Sequence, residues 1–107
     1  MIEKVNFPSS IKTIGQNAFF FYRKLTEVTF PSNSELRTIE NCAFCNTEIT
    51  SLTIPKSVTD LQPGWCVGMM SSIKIEVDPE NKKYKKFGDK FIIGKSENAN
   101  DFDVLVF

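Results

Sequence analysis

Histidine is absent from the 107 residues of this chain, and only three residues are cysteine. Imidazole is the side chain that most often acts as a general base near neutral pH, and it is a common metal ligand. No serine or cysteine here therefore has the usual activating partner, and an odd number of cysteines excludes a fully paired disulfide framework. We expect no enzyme activity, no cofactor and no bound metal.

An excess of charge and a long apolar run are missing as well. Lys plus Arg and Asp plus Glu both number 13, so the formal net charge is zero. This balance argues against a nucleic-acid partner, because such proteins neutralise phosphates. No segment approaches the roughly 20 apolar residues of a membrane span, and Met1 to Lys4 do not begin a signal peptide. We expect one domain without membrane insertion, either cytosolic or part of a longer chain.

What the chain does contain is a repeat of 23–24 residues. An apolar residue followed by proline recurs at that spacing, as Phe7-Pro8, Phe30-Pro31 and Ile54-Pro55. Two apolar residues three positions apart come next, as Ile11/Ile14, Leu36/Ile39 and Val58/Leu61. A small residue and an aromatic residue then follow, as Ala18-Phe19 and Ala43-Phe44, with Trp65-Cys66 in the third unit.

Units of this length predict a solenoid, because one unit cannot bury its apolar side without a stacked neighbour. Between Leu25 and Phe30 apolar and polar residues alternate, which indicates a strand, and the proline that follows ends it. We expect a parallel ladder of three to four short strands, one per coil. The rest of each coil returns through turns or short helices.

The segments VNFPSSIKTIGQNAF, VTFPSNSELRTIENCAF and LTIPKSVTDL resemble the BspA-like leucine-rich repeats, whose pattern is LxxIxIPxSVxxIGxxAFxxCxxL. The resemblance covers Ile2 to about Phe87. It implies a leucine-rich-repeat solenoid from a bacterial or protozoan surface or secreted protein, with a host or matrix protein as partner. The resemblance identifies the scaffold positions of this chain and no functional residues, because the family has no fixed functional residues.

The domain boundaries follow from the repeat and from a change of pattern after it. We assign residues 1–87 to about 3.5 units, 2–24, 25–48, 49–72 and 73–87, with Tyr84 and Phe87 echoing Ile14 in the last. Residues 88–107 are predicted to form a capping hairpin. Its strands are the apolar runs 91–93 and 104–107, and the segment 94–103 is rich in turn-forming residues and predicts a mobile loop.

Two motifs suggest chemistry but carry little weight. Cys42-x-x-Cys45 lacks the four ligands of a zinc site and the strand-to-helix context of a redox pair. Cys66 falls at the offset of Phe19 and Phe44, which predicts a buried, inert thiol. The basic run 82–86 is expected to be a solvated face with Tyr84 pointing inward.

Two surfaces are candidates for binding. Strand alternation sends two polar columns outward from the ladder, which gives the candidate partner-binding residues Lys4, Asn6, Glu27, Thr29, Ser51, Thr53, Lys74 and Glu76. At the other surface the first strand is an unpaired edge, an association hazard. The candidate self-association residues there are Ile2, Phe20 and Phe21; Phe21 either folds over the first coil or anchors an interface.

These features leave two hypotheses for function. The first is a non-catalytic protein-binding module, part of a surface or secreted adhesin-like protein by the family resemblance. The alternative is a structural repeat unit that forms homo-oligomers through its uncapped N-terminal edge.

Overall fold

The computed structural model describes residues 4–68, 74–87, 91–94 and 104–105. Within these ranges the chain forms ten short strands and no helix, so the returns that were expected as turns or short helices are turns. The strands in chain order are β1 (Lys4–Asn6), β2 (Thr13–Ile14), β3 (Glu27–Thr29), β4 (Thr38–Ile39), β5 (Ser51–Ile54), β6 (Asp60–Leu61), β7 (Lys74–Val77), β8 (Tyr84–Phe87), β9 (Phe91–Gly94) and β10 (Val104–Leu105).

Two parallel sheets run along the stack of coils. The first has the order β1-β3-β5-β7 and the second the order β2-β4-β6. Equivalent residues of successive units are paired across them, for example Val5 with Val28 and Ile14 with Ile39. The predicted solenoid with parallel strands is therefore confirmed.

Backbone hydrogen bonds also join the turns of successive coils. Phe19 N–H donates to the Ala43 carbonyl at 2.9 Å, and Phe44 N–H donates to the Trp65 carbonyl at 3.1 Å. Because the same groups are used in each coil, the repeat places equivalent side chains directly above one another. These columns of equivalent residues build both the core and the surface.

The core is one apolar cluster between the two sheets. Aromatic rings of adjacent coils stack within it: the centroids of Phe7 and Phe30 are 5.1 Å apart, and those of Phe19 and Phe44 are 5.6 Å apart with nearly parallel planes. Offset stacking of this kind adds about 0.5–1.5 kcal/mol per pair beyond the area buried. The repeated phenylalanines are thus mainly core residues.

The first coil is less covered than the second. Ala43 and Phe44 are fully buried, whereas Ala18 is exposed and Phe19 only half-buried. Ala43 is therefore tightly packed and Ala18 is not, because within the described residues the second coil has a neighbour on both sides and the first coil has one on a single side. The same difference separates the half-buried Val5 from the buried Val28.

The C-terminal part departs from the parallel stack. Strands β9 and β10 pair antiparallel, as expected of the capping hairpin, and β8 pairs antiparallel with the other side of β9. Residues Tyr84 to Phe87 thus form one strand of this antiparallel sheet, and the assignment of residues 73–87 to a fourth unit stays a prediction. They turn the chain back onto the stack, while the predicted loop lies largely outside the described residues.

Asn81 holds this return segment against the third coil. Its buried side-chain amide donates to the carbonyls of Pro55 and Val58 at 2.8 and 3.1 Å. Its side-chain oxygen accepts from the backbone N–H groups of Lys83 and Tyr84, both at 2.8 Å. A single polar side chain thus satisfies backbone groups of two segments, which a buried amide must do to avoid a desolvation cost.

Replacing Asn81 by alanine is expected to lower the free energy of unfolding by about 2–3 kcal/mol, because buried backbone groups lose their partners. Urea denaturation followed by the fluorescence of Trp65, the only tryptophan, measures the change. The matched control is Asn33→Ala at an exposed turn position, where the change should stay within about 0.5 kcal/mol. Equal effects at the two positions would contradict the structural role of Asn81.

Candidate functional site

The outer face of the first sheet is polar, and one of its columns is continuous. Lys4, Glu27, Ser51 and Lys74 are in register across all four strands. Lys4 Nζ lies 3.2 Å from Glu27 Oε2, so opposite charges meet across β1 and β3. The column places three charged side chains and one hydroxyl in a line along the stack.

The second column is interrupted between Thr29 and Thr53. Thr29 is in register with Asn6 and its hydroxyl donates to the Asn6 side-chain oxygen, while Thr53 is in register with Glu76. Strands β3 and β5 share only the register pair of the first column. Thr29 and Thr53 are therefore not a register pair, unlike Glu27 and Ser51 in the first column.

A cleft of about 260 Å³ opens where β3 and β5 separate. The turn after β3 is longer than its equivalents, since Leu36 lies five positions after Pro31 whereas Ile11 lies three positions after Pro8. We attribute the separation to these two additional residues, because the longer turn contributes to the wall of the cleft. Lining side chains include Thr29, Ser32, Ser34, Thr53, Lys56 and Asp78.

Phe20 and Phe21 form a small aromatic patch beside the first coil. The two residues are 47% and 52% exposed, and their ring centroids lie 4.8 Å apart in an edge-to-face contact. The Arg23 guanidinium carbon lies 5.6 Å from the Phe21 ring centroid. Neither ring belongs to the core cluster, and each is about half exposed. Ile2, the third residue expected here, lies outside the described residues.

The backbone at Phe21 is left-handed, with φ of 59°. Equivalent positions of the next two coils hold Asn46 and Gly68, with φ of 58° and 79°. Asparagine and glycine tolerate this conformation, whereas a bulky side chain costs about 1–2 kcal/mol. Asn46 and Gly68 stand at the repeat position of Phe21, and these residue types in the sequence indicate a left-handed backbone there.

Cys42 and Cys45 form a disulfide within the second coil, a bond that the weak motif did not predict. Cys66 is free and half-buried, and it packs against the core. Burial raises the pKa of the Cys66 thiol to about 12, so it stays protonated at neutral pH. This agrees with the expectation of an inert thiol.

Tyr84 is the buried centre of the basic run, as expected. Its hydroxyl accepts a hydrogen bond from the Leu61 N–H at 2.9 Å. Burial raises the pKa of this hydroxyl, and the charge of Asp60 adds to the effect, while the hydrogen bond opposes it. Lys82 and Lys85 remain exposed on either side.

The described residues contain no cluster of three or more His, Cys, Asp or Glu placed to hold a metal ion. The same part of the chain has no helix that could cross a membrane.

Comparison with known proteins gives the family. The sequence model of the BspA type leucine-rich repeat region matches residues 1–89 in 6 copies. The chain therefore belongs to the BspA-type leucine-rich repeat family, and the resemblance found in the sequence is confirmed. No curated protein matches it.

Two solved structures share the fold. The pneumococcal vaccine antigen PcpA is 33% identical with a TM-score of 0.81, over 88% of this chain and 23% of that one. A leucine-rich cell surface protein from Faecalibacterium prausnitzii is 23% identical with a TM-score of 0.73, over 97% of this chain and 26% of that one. The chain thus spans about a quarter of the length of each, and the second likeness shows the fold alone.

Stability is expected to fall as the pH rises from 9 towards 12. The unfolded Cys66 thiol ionises near its ordinary pKa of 9.0, while the folded thiol keeps its proton until its pKa of about 12. Ionisation therefore lowers the free energy of the unfolded state alone over that window, and the free energy of unfolding falls. Tyr84 acts in the same direction above its ordinary pKa of 10.0. Each group contributes at most about 1.4 kcal/mol per pH unit.

Urea denaturation of the wild type and of Cys66→Ser at pH 8, 9, 10 and 11 measures this dependence. The serine variant should lose less stability between pH 9 and 10, where the cysteine is the main contributor. Identical pH profiles for the two proteins would show that Cys66 does not keep its proton in the folded state.

Proposed function

We propose that this chain is a non-catalytic protein-binding module that uses the outer face of the sheet β1-β3-β5-β7. The observation that carries the proposal is the column from Lys4 to Lys74, which aligns side chains of four strands on one exposed face. Repeat arrays commonly bind partners through such a surface, because neighbouring coils present equivalent positions at a fixed spacing.

The chemistry of this face suits a protein surface of mixed polarity. The two columns hold two lysines and two glutamates together with short hydroxyl and amide side chains, so neither sign of charge dominates. A polyanion such as nucleic acid gains little from such a face. The interrupted column adds a recess beside Thr29 and Thr53 into which one side chain of a partner can insert.

We further propose that the module belongs to a surface or secreted adhesin-like protein and that its partner is a host or matrix protein. Support comes from the likeness to the pneumococcal vaccine antigen PcpA at 33% identity. The Cys42–Cys45 disulfide adds to it, because disulfides persist mainly in oxidising compartments.

Self-association through the N-terminal edge is a second candidate. It is favoured by the exposed rings of Phe20 and Phe21 and by the half-buried Val5 and Phe7 at that end of the stack. Among the described residues, strand β1 is the first strand of its sheet, and an edge strand of this kind can pair with a strand of another molecule. Phe21 keeps a strained backbone while its ring stays exposed, which is a pattern found at functional surfaces.

The double substitution Thr29→Arg with Thr53→Arg tests the binding face. Both threonines are exposed, so the fold should be retained while two bulky charges occupy the second column and the cleft. We expect binding to an array of immobilised extracellular matrix proteins, measured by biolayer interferometry, to fall at least tenfold, or about 1.4 kcal/mol.

The matched control is Thr13→Arg with Thr59→Arg, two exposed threonines outside the first sheet. It adds the same charge and should bind like the wild type. No binding by the wild type would refute the matrix partner, and equal binding by the two double variants would refute the sheet face.

Phe20→Ser with Phe21→Asn tests self-association. Sedimentation velocity from micromolar to millimolar protein should show that the wild type forms a discrete dimer and that the variant stays monomeric. The control is Val67→Ser, which removes another large exposed apolar side chain, in a different coil, and should leave the dimer intact. A wild-type protein that is monomeric at every concentration would refute self-association.

A further inference from the structure

The disulfide lies in a turn that the fold closes without it. The Cys45 N–H is directed to the Cys42 carbonyl, and the same backbone bond joins Phe20 to Asn17 in the first coil and Val67 to Gly64 in the third. Those coils have no cysteine at these positions and still form the turn. The backbone of the second coil is therefore compatible with both the bonded and the reduced cysteine pair.

The two sulfur-bearing residues differ in exposure. Cys45 is 1% exposed, whereas Cys42 is partly exposed. Cys42 has a left-handed φ of 55°, like Asn17 and Gly64 at the equivalent positions. Since thiol–disulfide exchange requires in-line approach to one sulfur, the access of an attacking thiol favours Cys42.

A backbone carbonyl lies within hydrogen-bond distance of the Cys45 sulfur. Its Sγ lies 3.1 Å from the Gly64 carbonyl oxygen. A bonded sulfur has no proton to donate, but a free Cys45 thiol at this place donates a hydrogen bond to that oxygen. The Cys45 thiol that exchange at Cys42 releases can therefore take up a proton and keep this contact.

The surroundings limit the size of the attacking molecule. Phe20 and Val67 occupy the positions equivalent to Cys45 in the neighbouring coils, and both are large and exposed. They belong to the coils on the two sides of the bridged turn. Because Cys42 is only partly exposed, a small thiol can reach its sulfur more readily than the active site of a folded protein can.

We propose that Cys42–Cys45 is a reversible exchange site for low-molecular-weight thiols, with Cys42 as the attacked sulfur and Cys45 as the buried leaving group. A thiolate bonds to Cys42 Sγ, the disulfide breaks, and Cys45 Sγ takes the electron pair and a proton from water. A second thiolate then attacks the sulfur of the small molecule and releases Cys42. Two thiols are oxidised to one small disulfide, and the protein disulfide gains two electrons and two protons.

Cys66 takes no part in the proposed exchange, because its thiol keeps its proton at neutral pH. It can therefore be replaced by serine in every test protein without loss of the exchange site.

Single-cysteine proteins test the assignment. In the Cys66→Ser background, Cys45→Ser leaves Cys42 alone and Cys42→Ser leaves Cys45 alone. Each folded protein is treated with glutathione disulfide at neutral pH, and the mixed disulfide is followed by mass spectrometry. We expect Cys42 to react at least ~10-fold faster than Cys45, because burial protects the latter.

The same reactions in concentrated guanidinium chloride are the control for intrinsic reactivity, and there the two rates should agree within about twofold. Equal rates in the folded proteins, or a faster Cys45, would overturn the proposal.

A second measurement uses the native pair and does not depend on the variants folding. The Cys66→Ser protein is treated with reduced glutathione, quenched with acid, and mapped by peptide mass spectrometry. The expected product is a mixed disulfide on Cys42 with the circular dichroism unchanged, and oxidised glutathione should restore the bridge. Reduction that occurs only together with unfolding would show that the disulfide is purely structural.

Discussion

Hydrogen bonding between successive coils is the constraint on which the rest of this structure depends. Both parallel sheets and the connecting turns pair each coil with the next through the same backbone groups, as in Phe19 to Ala43 and Phe44 to Trp65. A coil can join the stack only if its backbone follows that of its neighbour. Local conformation is therefore imposed even where the side chain does not favour it, and Phe21 in a left-handed conformation is the clearest case.

The same constraint fixes the backbone of each coil but leaves its exposed side chains free to differ. Within one column the backbone repeats while the residue changes, as in Asn17, Cys42 and Gly64, so each coil can carry different chemistry at an identical place. The polar columns of the first sheet and the disulfide of the second coil are two products of this freedom. Binding and redox chemistry can therefore vary between repeats without a change of fold.

The sequence was sufficient to predict the solenoid, the inward aromatic residues and the buried Tyr84, because these follow from a fixed period and from alternation. It did not predict the gap between β3 and β5, since the effect of two inserted residues on strand register depends on how the turn packs. The disulfide was missed because the approach of Cys42 to Cys45 requires a backbone conformation that the motif does not reveal. The role of Asn81 was missed because a single buried amide leaves no periodic signal.

The placement of the one covalent crosslink has a mechanical consequence. The chain winds around the stack, whereas the interactions that join coils run along its axis, and the Cys42–Cys45 bond closes within a single coil. Tension applied between the two ends of the molecule would separate coils by breaking backbone hydrogen bonds in succession, and the disulfide would not oppose it. Resistance to pulling is then set by the hydrogen bonds between coils, and in the first sheet β3 and β5 share a single register pair.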